Sequence, residues 1–539
     1  MEESLAPSMT SSTNRRAPAS WLPICELALI LAVFFIHAGW PAPDVNEPHY
    51  LSKAKHYWNP AWCHNDFFCN TADAHQVFYW TFGWLTRYLS LPAVAWCGRV
   101  LTWTLMAAGW YRLGTALAAG PFYSVLSAAL FVALNDRCQM AGEWVVGGIE
   151  AKEFAYALVF FGLAAMVRGQ WTKTWLLLGV ATAFHVLVGG WSIVAAGLAW
   201  LMSGAQRPPL ARTVLALIAA LLLTLPGLLP ALRLNWYADS ETVAAGNHIY
   251  VFQRLDHHLL FTSFPTLAIV RFGLLGLLWG VLCYVGPRDP AQRRLRWFVT
   301  GSLVIAAVGI AISLGLRQHE ALAAKLLRFY WFRLSDAMLP AGAALAAVSF
   351  IAAARRIVPA RGAGWLLLSI AAAGAHLGDV LQTRLTYPSP RADWTLDDPV
   401  AWWEICDWVS ENTPADSVFM TPRMAATFRW YTNRSEVVSR KDVPQDAAGL
   451  VAWRQRMEDL YRRPAEGASP AEWRNSLATL DAATLTELGE KYGADYVLTS
   501  AYPPLPLKKI SPPNASYAVY RLPKRLPTIP ATIQKQTQP

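Results

Sequence analysis

Acids, histidines and tryptophans crowd the segment PDVNEPHYLSKAKHYWNPAWCHNDFFC, residues 43–69, directly after an apolar run of helical length. Between Asn46 and Trp58 the one proline is Pro48, at a position that the first turn of a helix tolerates. Asn46 is a fair N-cap. Leu51, Ala54 and Trp58, with Tyr50 and Tyr57, fall on one side at helical spacing, while Lys53 and His56 face elsewhere, the pattern of a helix lying along a membrane interface. Glu47 then sits in the first turn. A carboxylate held between lipid and water can act as a general base towards a hydroxyl or an amine, because burial and nearby charge tune its pKa. On spacing alone the competing reading is a capping acid favoured by the helix dipole.

Two further polar stretches carry candidate groups. GEWVVGGIEAKEFAY sets Glu143, Glu150, Lys152 and Glu153 around a flexible Gly147/Gly148 turn, either to line a site or to open a solvated helix. FQRLDHHLLF supplies Arg254, Asp256, His257 and His258; adjacent histidines point in different directions on a helix, which disfavours a metal site, and the same holds for Cys63, His64, Asp66 and His75. Motifs of other chemistries are missing: no GxxxxGK[ST] loop, HExxH pair, GxSxG elbow or strand-bound GxGxxG occurs.

The elements that must position these groups are membrane spans. Over half of the 539 residues are apolar, and runs long enough to cross a hydrocarbon layer of roughly 30 Å recur up to residue 385. The first, 21–40, lacks a small-residue cleavage site and reads as a retained helix. Ten more are expected near 91–117, 122–134, 153–167, 171–188, 191–202, 213–232, 266–285, 297–316, 332–354 and 364–385, giving about eleven transmembrane helices. The pair around FHVLVGGWSIV is read as two short crossings. With the N-terminus inside, every inner turn collects Arg or Lys, from Arg15/Arg16 to Arg355/Arg356/Arg361. The formal charge of +10 therefore reports topology and anionic lipid headgroups rather than a nucleic-acid partner.

On this topology all 11 histidines and most acids fall on the outer side. His185, Asp336, His376 and Asp379 lie within apolar spans, with Arg271 nearby, where ionisable groups are costly and usually kept for pairing or function. An outward-opening polar cavity roofed by the external loops accommodates them. Cys63, Cys69, Cys138 and Cys406 map outside, where a Cys63–Cys69 staple is possible but spacing does not fix the pairing.

NEPHYLSKAKHY resembles the DExxY-type motif that opens the first external loop of GT-C glycosyltransferases, polytopic membrane enzymes using polyprenyl-phosphate sugars. The architecture is similar too: eleven to thirteen spans, an inside N-terminus, a long first external loop (here 41–90) with interfacial helices, and an external C-terminal domain. The resemblance implies that an acid of this motif activates the acceptor for inverting attack on the sugar C1. Asn46 stands where the family has Asp, so the base falls to Glu47, with Asp44 as alternate. A lipid-phosphate donor implies cations at the outer leaflet; KLLRFYWFRLSDAMLP offers Lys325, Arg328 and Arg333, which could equally be snorkelling side chains. Lys53, His56, Glu150, Lys152, His185, Arg254, His257, His258 and Asp336 are expected to line the substrate site. The lipid-linked donor needs no further cofactor, although a divalent ion is compatible with the chemistry. Expected partners are membrane lipids and an external glycan, lipid or protein acceptor, and the expected location is a bacterial inner membrane.

The chain thus divides into a cytoplasmic tail (1–20), a GT-C-like transmembrane domain (21–385), an external, periplasmic α/β domain (386–525) and a disordered tail (526–539). In the α/β domain PVAWWEICDWVSENTP reads as a helix stopped by Pro414, SVFMT, EVVS, ADYVLTS and YAVYRL as strands, and 447–461 and 471–492 as helices. Two other classes use the same features: a lipid or solute transporter, which should show internal repeats, and a non-catalytic sensor or assembly protein lacking the base.

Overall fold

The computed structural model describes residues 21–463 and 472–523; the expected tails at 1–20 and 526–539 lie outside the described residues. Helices dominate, with a small sheet near the C-terminus. Helices lie at each stretch where a span is expected, though not all of membrane length: α1 (Leu22–Ala38), then, after the helix α2 (Glu47–Trp58), α3 (Leu91–Leu117), α4 (Tyr123–Cys138), α5 (Ala151–Val167), α6 (Trp171–Phe184), α7 (Val186–Leu201), α8 (Leu210–Arg233), α9 (Thr266–Val285), α10 (Pro290–Gly315), α11 (Arg333–Ile357) and α12 (Pro359–Thr386). Six of them, α3, α8, α9, α10, α11 and α12, are long and apolar enough to cross a membrane. This is the make-up of a multi-pass membrane protein.

Apolar burial locks the bundle around α11, whose residues from Leu334 to Ala346 are all buried, whereas α9 and α12 turn rows of leucines outward. Trp110 stacks on Phe131 at 4.6 Å and meets Phe160 edge-on at 5.2 Å, tying α3, α4 and α5 together. The segment around His185 is a reversal. His185 is extended between α6 and α7, and a Cβ at Gly189 would lie 2.2 Å from the Thr182 nitrogen. In a continuous helix these two residues are two turns apart, so α6 and α7 form a hairpin that only glycine permits.

Charge sorts the two ends of the bundle. At one end Arg168 donates to the Arg112 carbonyl, Arg294 to the Val167 carbonyl and to Gln206, and Arg355 to the Tyr123 hydroxyl. Of these, the bond from Arg294 to Val167, the last residue of α5, pairs a helix C-terminal carbonyl with a cation. At the other end sit the first long loop, residues 39–90, and the C-terminal domain.

That domain is a five-stranded sheet of order β2-β1-β3-β5-β4, with β1 Val418–Met420, β2 Ser435–Glu436, β3 Tyr496–Ser500, β4 Lys508–Lys509 and β5 Tyr517–Arg521. The β2-β1-β3 core is parallel; β5 runs antiparallel to β3 and β4 to β5. Helices α13 (Pro399–Asn412), α14 (Ala447–Tyr461) and α15 (Ala482–Tyr492) complete it. The helix expected over 471–492 begins at Ala482 instead, because the Asp481 side chain caps it by accepting from the Thr484 N–H at 2.8 Å.

A buried ionic hub joins this domain to the first loop. Arg429 Nη1 donates to Asp66 at 3.1 Å and to Glu436 at 2.6 Å, and Nη2 donates to Asp442. Asp66 also accepts the N–H groups of Cys69 and Glu436, both at 2.9 Å. The Cys63–Cys69 staple is not formed: both are buried free thiols, and the carboxylate of Asp66 holds their turn in its place.

Candidate functional site

A cavity of about 670 Å³ opens where the bundle, the first loop and the C-terminal domain meet. One side of it is an apolar patch made by Phe184, Val186, Leu187, Leu228, Leu232 and Phe329; the rest of the lining carries Asn46, His49, Tyr50, His75, Glu143, Glu150, Lys152, His185, Arg254, His257, His258, Arg328, Tyr330, Arg333, Lys441 and Gln445.

The motif residues part company at the start of α2. Glu47 is fully buried and outside the cavity lining. Its Oε1 accepts from Arg99 Nε at 2.7 Å and the Ile149 N–H at 3.0 Å, and its Oε2 from Arg99 Nη2 at 2.6 Å and the Asp44 N–H at 2.7 Å. Such a bidentate pair, with both oxygens further bonded, fixes the ends of three segments. Asp44 is buried beside it, with Arg391 Nε 3.6 Å away. The Gly147/Gly148 turn is a tight contact rather than a loose one: a Cβ on Gly148 would lie 2.6 Å from Asp44 Cβ and 3.0 Å from Glu47, and Trp103 donates to the Gly147 carbonyl at 2.9 Å. Asn46 makes no cap bond; its amide points into the cavity and donates to Glu150 Oε1 at 2.6 Å.

Two carboxylates face the cavity, both delivered by the α4–α5 loop. Glu143 is ion-paired: Arg333 Nε lies 3.1 Å and Lys152 Nζ 3.9 Å from its Oε2, and the Tyr156 hydroxyl donates to Oε1 at 3.1 Å. Glu150 has Asn46 and, at 3.7 Å, Lys152, both on Oε1. Lys152 also lies 3.7 Å from the Trp144 ring centre. Asp336 builds this loop without lining the cavity, accepting the Met140 N–H at 2.9 Å and the Ala141 N–H at 2.7 Å.

The cations differ in their partners. Arg333 is neutralised by Glu143 and reaches His185 Nε2 at 2.9 Å. Among the described residues no carboxylate lies within ion-pair distance of Arg254, Arg328 or Lys441. Arg254 and Arg328 border a hydroxyl pair, Tyr250 and Tyr330, whose oxygens are 3.0 Å apart. Burial, with the neighbouring charge of Arg440, lowers the Arg254 guanidinium to about 10, and burial beside Arg254 lowers the Lys441 ammonium to about 8. Burial likewise lowers His258 to about 3, so it is neutral at physiological pH.

Of the expected site residues, Glu150, Lys152, His185, Arg254, His257, His258, Arg328 and Arg333 come together around one cavity. Others lie elsewhere. Lys53 donates to the Thr71 hydroxyl at 2.8 Å, His56 Nδ1 meets the Trp62 carbonyl at 2.8 Å, and Lys325 is exposed. The expected single cavity for the ionisable groups within the spans divides in two, since His376 pairs with His37 at 3.3 Å and Asp379 with Arg137, between α1, α4 and α12. Sequence reasoning missed Glu143 as a partner of Arg333, the Tyr250–Tyr330 pair, and Lys441 and Gln445 of the C-terminal domain. It also missed Arg99, although a lone arginine inside an apolar run of helical length is itself a signal.

The site is that of a multi-pass membrane protein with an open cavity of mixed polar and apolar lining at one end of its bundle. Residues 400–460 match a family described as a domain of unknown function, DUF6798. No curated protein matches the chain. Among solved structures it is similar to ArnT from Cupriavidus metallidurans bound to undecaprenyl phosphate, at 14% identity and a TM-score of 0.47, covering 94% of this chain and 98% of that one.

Proposed function

We propose that this chain is a GT-C-like glycosyltransferase that moves a sugar from a polyprenyl-phosphate donor to an acceptor in the cavity, with inversion at C1. The observation that carries this reading is the juxtaposition of uncompensated Arg254 and Arg328, a hydroxyl pair and a facing carboxylate beside an apolar helix wall. The apolar wall receives the prenyl chain. Arg254 and Arg328 hold the phosphate oxygens, and Tyr250 or Tyr330 donates a hydroxyl to them. The acceptor oxygen attacks C1 from the face opposite the phosphate, Glu150 takes its proton, and the C1–O bond breaks with its electron pair leaving on the phosphate, where the cations stabilise it.

Glu150 is assigned as base because its Oε2 has no hydrogen-bond partner among the described residues while Asn46 orients Oε1. Glu47 serves this base from behind: pinned by Arg99, it fixes the turn from which Asn46 reaches out. The cavity end faces outward from a bacterial inner membrane and the cationic end inward, in keeping with the positive-inside rule.

The test is sugar release from polyprenyl-phosphate donors by folded, full-length protein. Glu150→Gln should lower turnover by roughly a hundredfold to ten-thousandfold without changing the melting temperature. Full activity in Glu150→Gln would remove it as the base. Tight undecaprenyl phosphate binding by a wild-type protein that transfers nothing would instead favour a lipid-binding sensor, the reading that Asn46 at the motif's first position invites.

A further inference from the structure

We infer that Lys441, supplied by the C-terminal domain, is a specificity residue that binds an anionic substituent, a carboxylate or a phosphate, on the acceptor. The inference rests on the transferase reading for the word acceptor, but not for the anion site itself.

The C-terminal domain does more than cover the cavity. Its segment from Arg440 to Gln445 forms part of the wall through Lys441, Val443 and Gln445, and that segment is fastened on both sides. Arg254 donates to the Arg440 carbonyl at 3.1 Å, and the Arg440 N–H donates to the Arg423 carbonyl at 3.0 Å. Asp442, the next residue, accepts from Arg429 and from Ser439 at 3.0 Å, and lies 3.2 Å from His49 Nδ1. Gln445 accepts the Ala74 N–H at 3.0 Å and meets His75 at 2.9 Å. Such anchoring sets the position of one side chain that has no carboxylate within ion-pair distance among the described residues.

A lysine in that position is costly. It sits next to Arg254, a cation nine-tenths buried, with Lys152 adding to the repulsion; Glu150 and Asp442 are the acids that offset it, and neither lies within ion-pair distance among the described residues. Desolvated cations are retained where something pairs with them, and a cavity wall leaves that role to a ligand. The ligand belongs to the acceptor rather than the prenyl chain, because Lys441 lies on the wall built by the water-facing domain, whereas the apolar wall is built by α8 and the α6–α7 reversal. An ammonium is a compact point charge that accepts carboxylate or phosphate alike.

Full-length protein in nanodiscs, saturated with undecaprenyl phosphate, is titrated with glucuronate and with inorganic phosphate. Lys441→Met should weaken the second anion at least tenfold and leave undecaprenyl phosphate within twofold, while Arg328→Met should do the reverse. Tighter glucuronate than phosphate assigns a carboxylate, and the opposite order a phosphate. Because the ammonium loses its charge as pH rises through about 8, wild-type glucuronate affinity should fall roughly tenfold between pH 7 and 9. Lys441→Arg should hold it flat, a rescue that a merely structural lysine would not produce. Unchanged anion binding in Lys441→Met overturns the inference, as does loss of undecaprenyl phosphate equal to that in Arg328→Met. Should the wild type not bind undecaprenyl phosphate, the transferase reading fails, and the same titrations on lipid-free protein still test Lys441.

Discussion

Two sets of charge, one buried and one lining a cavity, stand close together in this protein and obey opposite rules. Around Glu47 and around Arg429 each buried cation is held by carboxylates: Glu47 and Arg99 share two bonds, and Arg429 binds Asp66, Glu436 and Asp442. Across the cavity, Arg254, Arg328 and Lys441 have no carboxylate within ion-pair distance among the described residues. The first kind of array holds segments in place, because ions taken out of water must find partners inside the protein. The second kind keeps its charge for a molecule that arrives. The acid that looks most catalytic in the sequence belongs to the first kind, while Glu150 borders the second.

The largest effect that could break this comparison is at Arg429. Arg429→Met leaves three carboxylates buried around an apolar side chain and should destabilise the protein by roughly 3–5 kcal/mol. Calorimetric melting should show it, together with faster proteolysis of the first loop as it parts from the C-terminal domain. Next comes Glu47→Gln, which strands Arg99 in an apolar helix; a loss of about 3 kcal/mol in denaturant or thermal unfolding is expected, and an unchanged midpoint would move Glu47 out of the matched set. The smallest stability effect is on the unmatched side. Arg254→Met removes a repulsion as well as a bond to the Arg440 carbonyl, so stability should change by less than about 1 kcal/mol while undecaprenyl phosphate affinity falls about tenfold, read by titration in nanodiscs.

Much of the scaffold is legible in the sequence. The spans expected at 91–117 and 266–285 coincide with α3 and α9, and the helix expected at 447–461 with α14, since an apolar run of membrane length or an amphipathic repeat needs only local periodicity to be read. Strand β4, at Lys508–Lys509, carries no such signal: it is two exposed lysines whose pairing is set by β5. The same division runs through the site. Glu150, Lys152, Arg254 and the 257–258 histidine pair stand out because polar groups are rare in this chain, but nothing local distinguishes a paired acid from a free one. Glu47 lies one residue from Pro48 and Glu150 two from Gly148, so both read as acids at a turn, and Arg99 decides between them from 52 positions beyond Glu47.

By itself the sequence determined that this is a chain of many apolar helices with a cationic end, a polar end and a small α/β domain, because hydropathy and the location of arginines are additive properties of short segments. Only the tertiary structure decided which charges are spent. Ion pairing depends on distances of a few ångströms between residues remote in the chain. Glu47 met Arg99, Arg333 met Glu143, and Lys441 was carried by a separate domain to a cavity wall where, among the described residues, no acid comes within ion-pair distance of it.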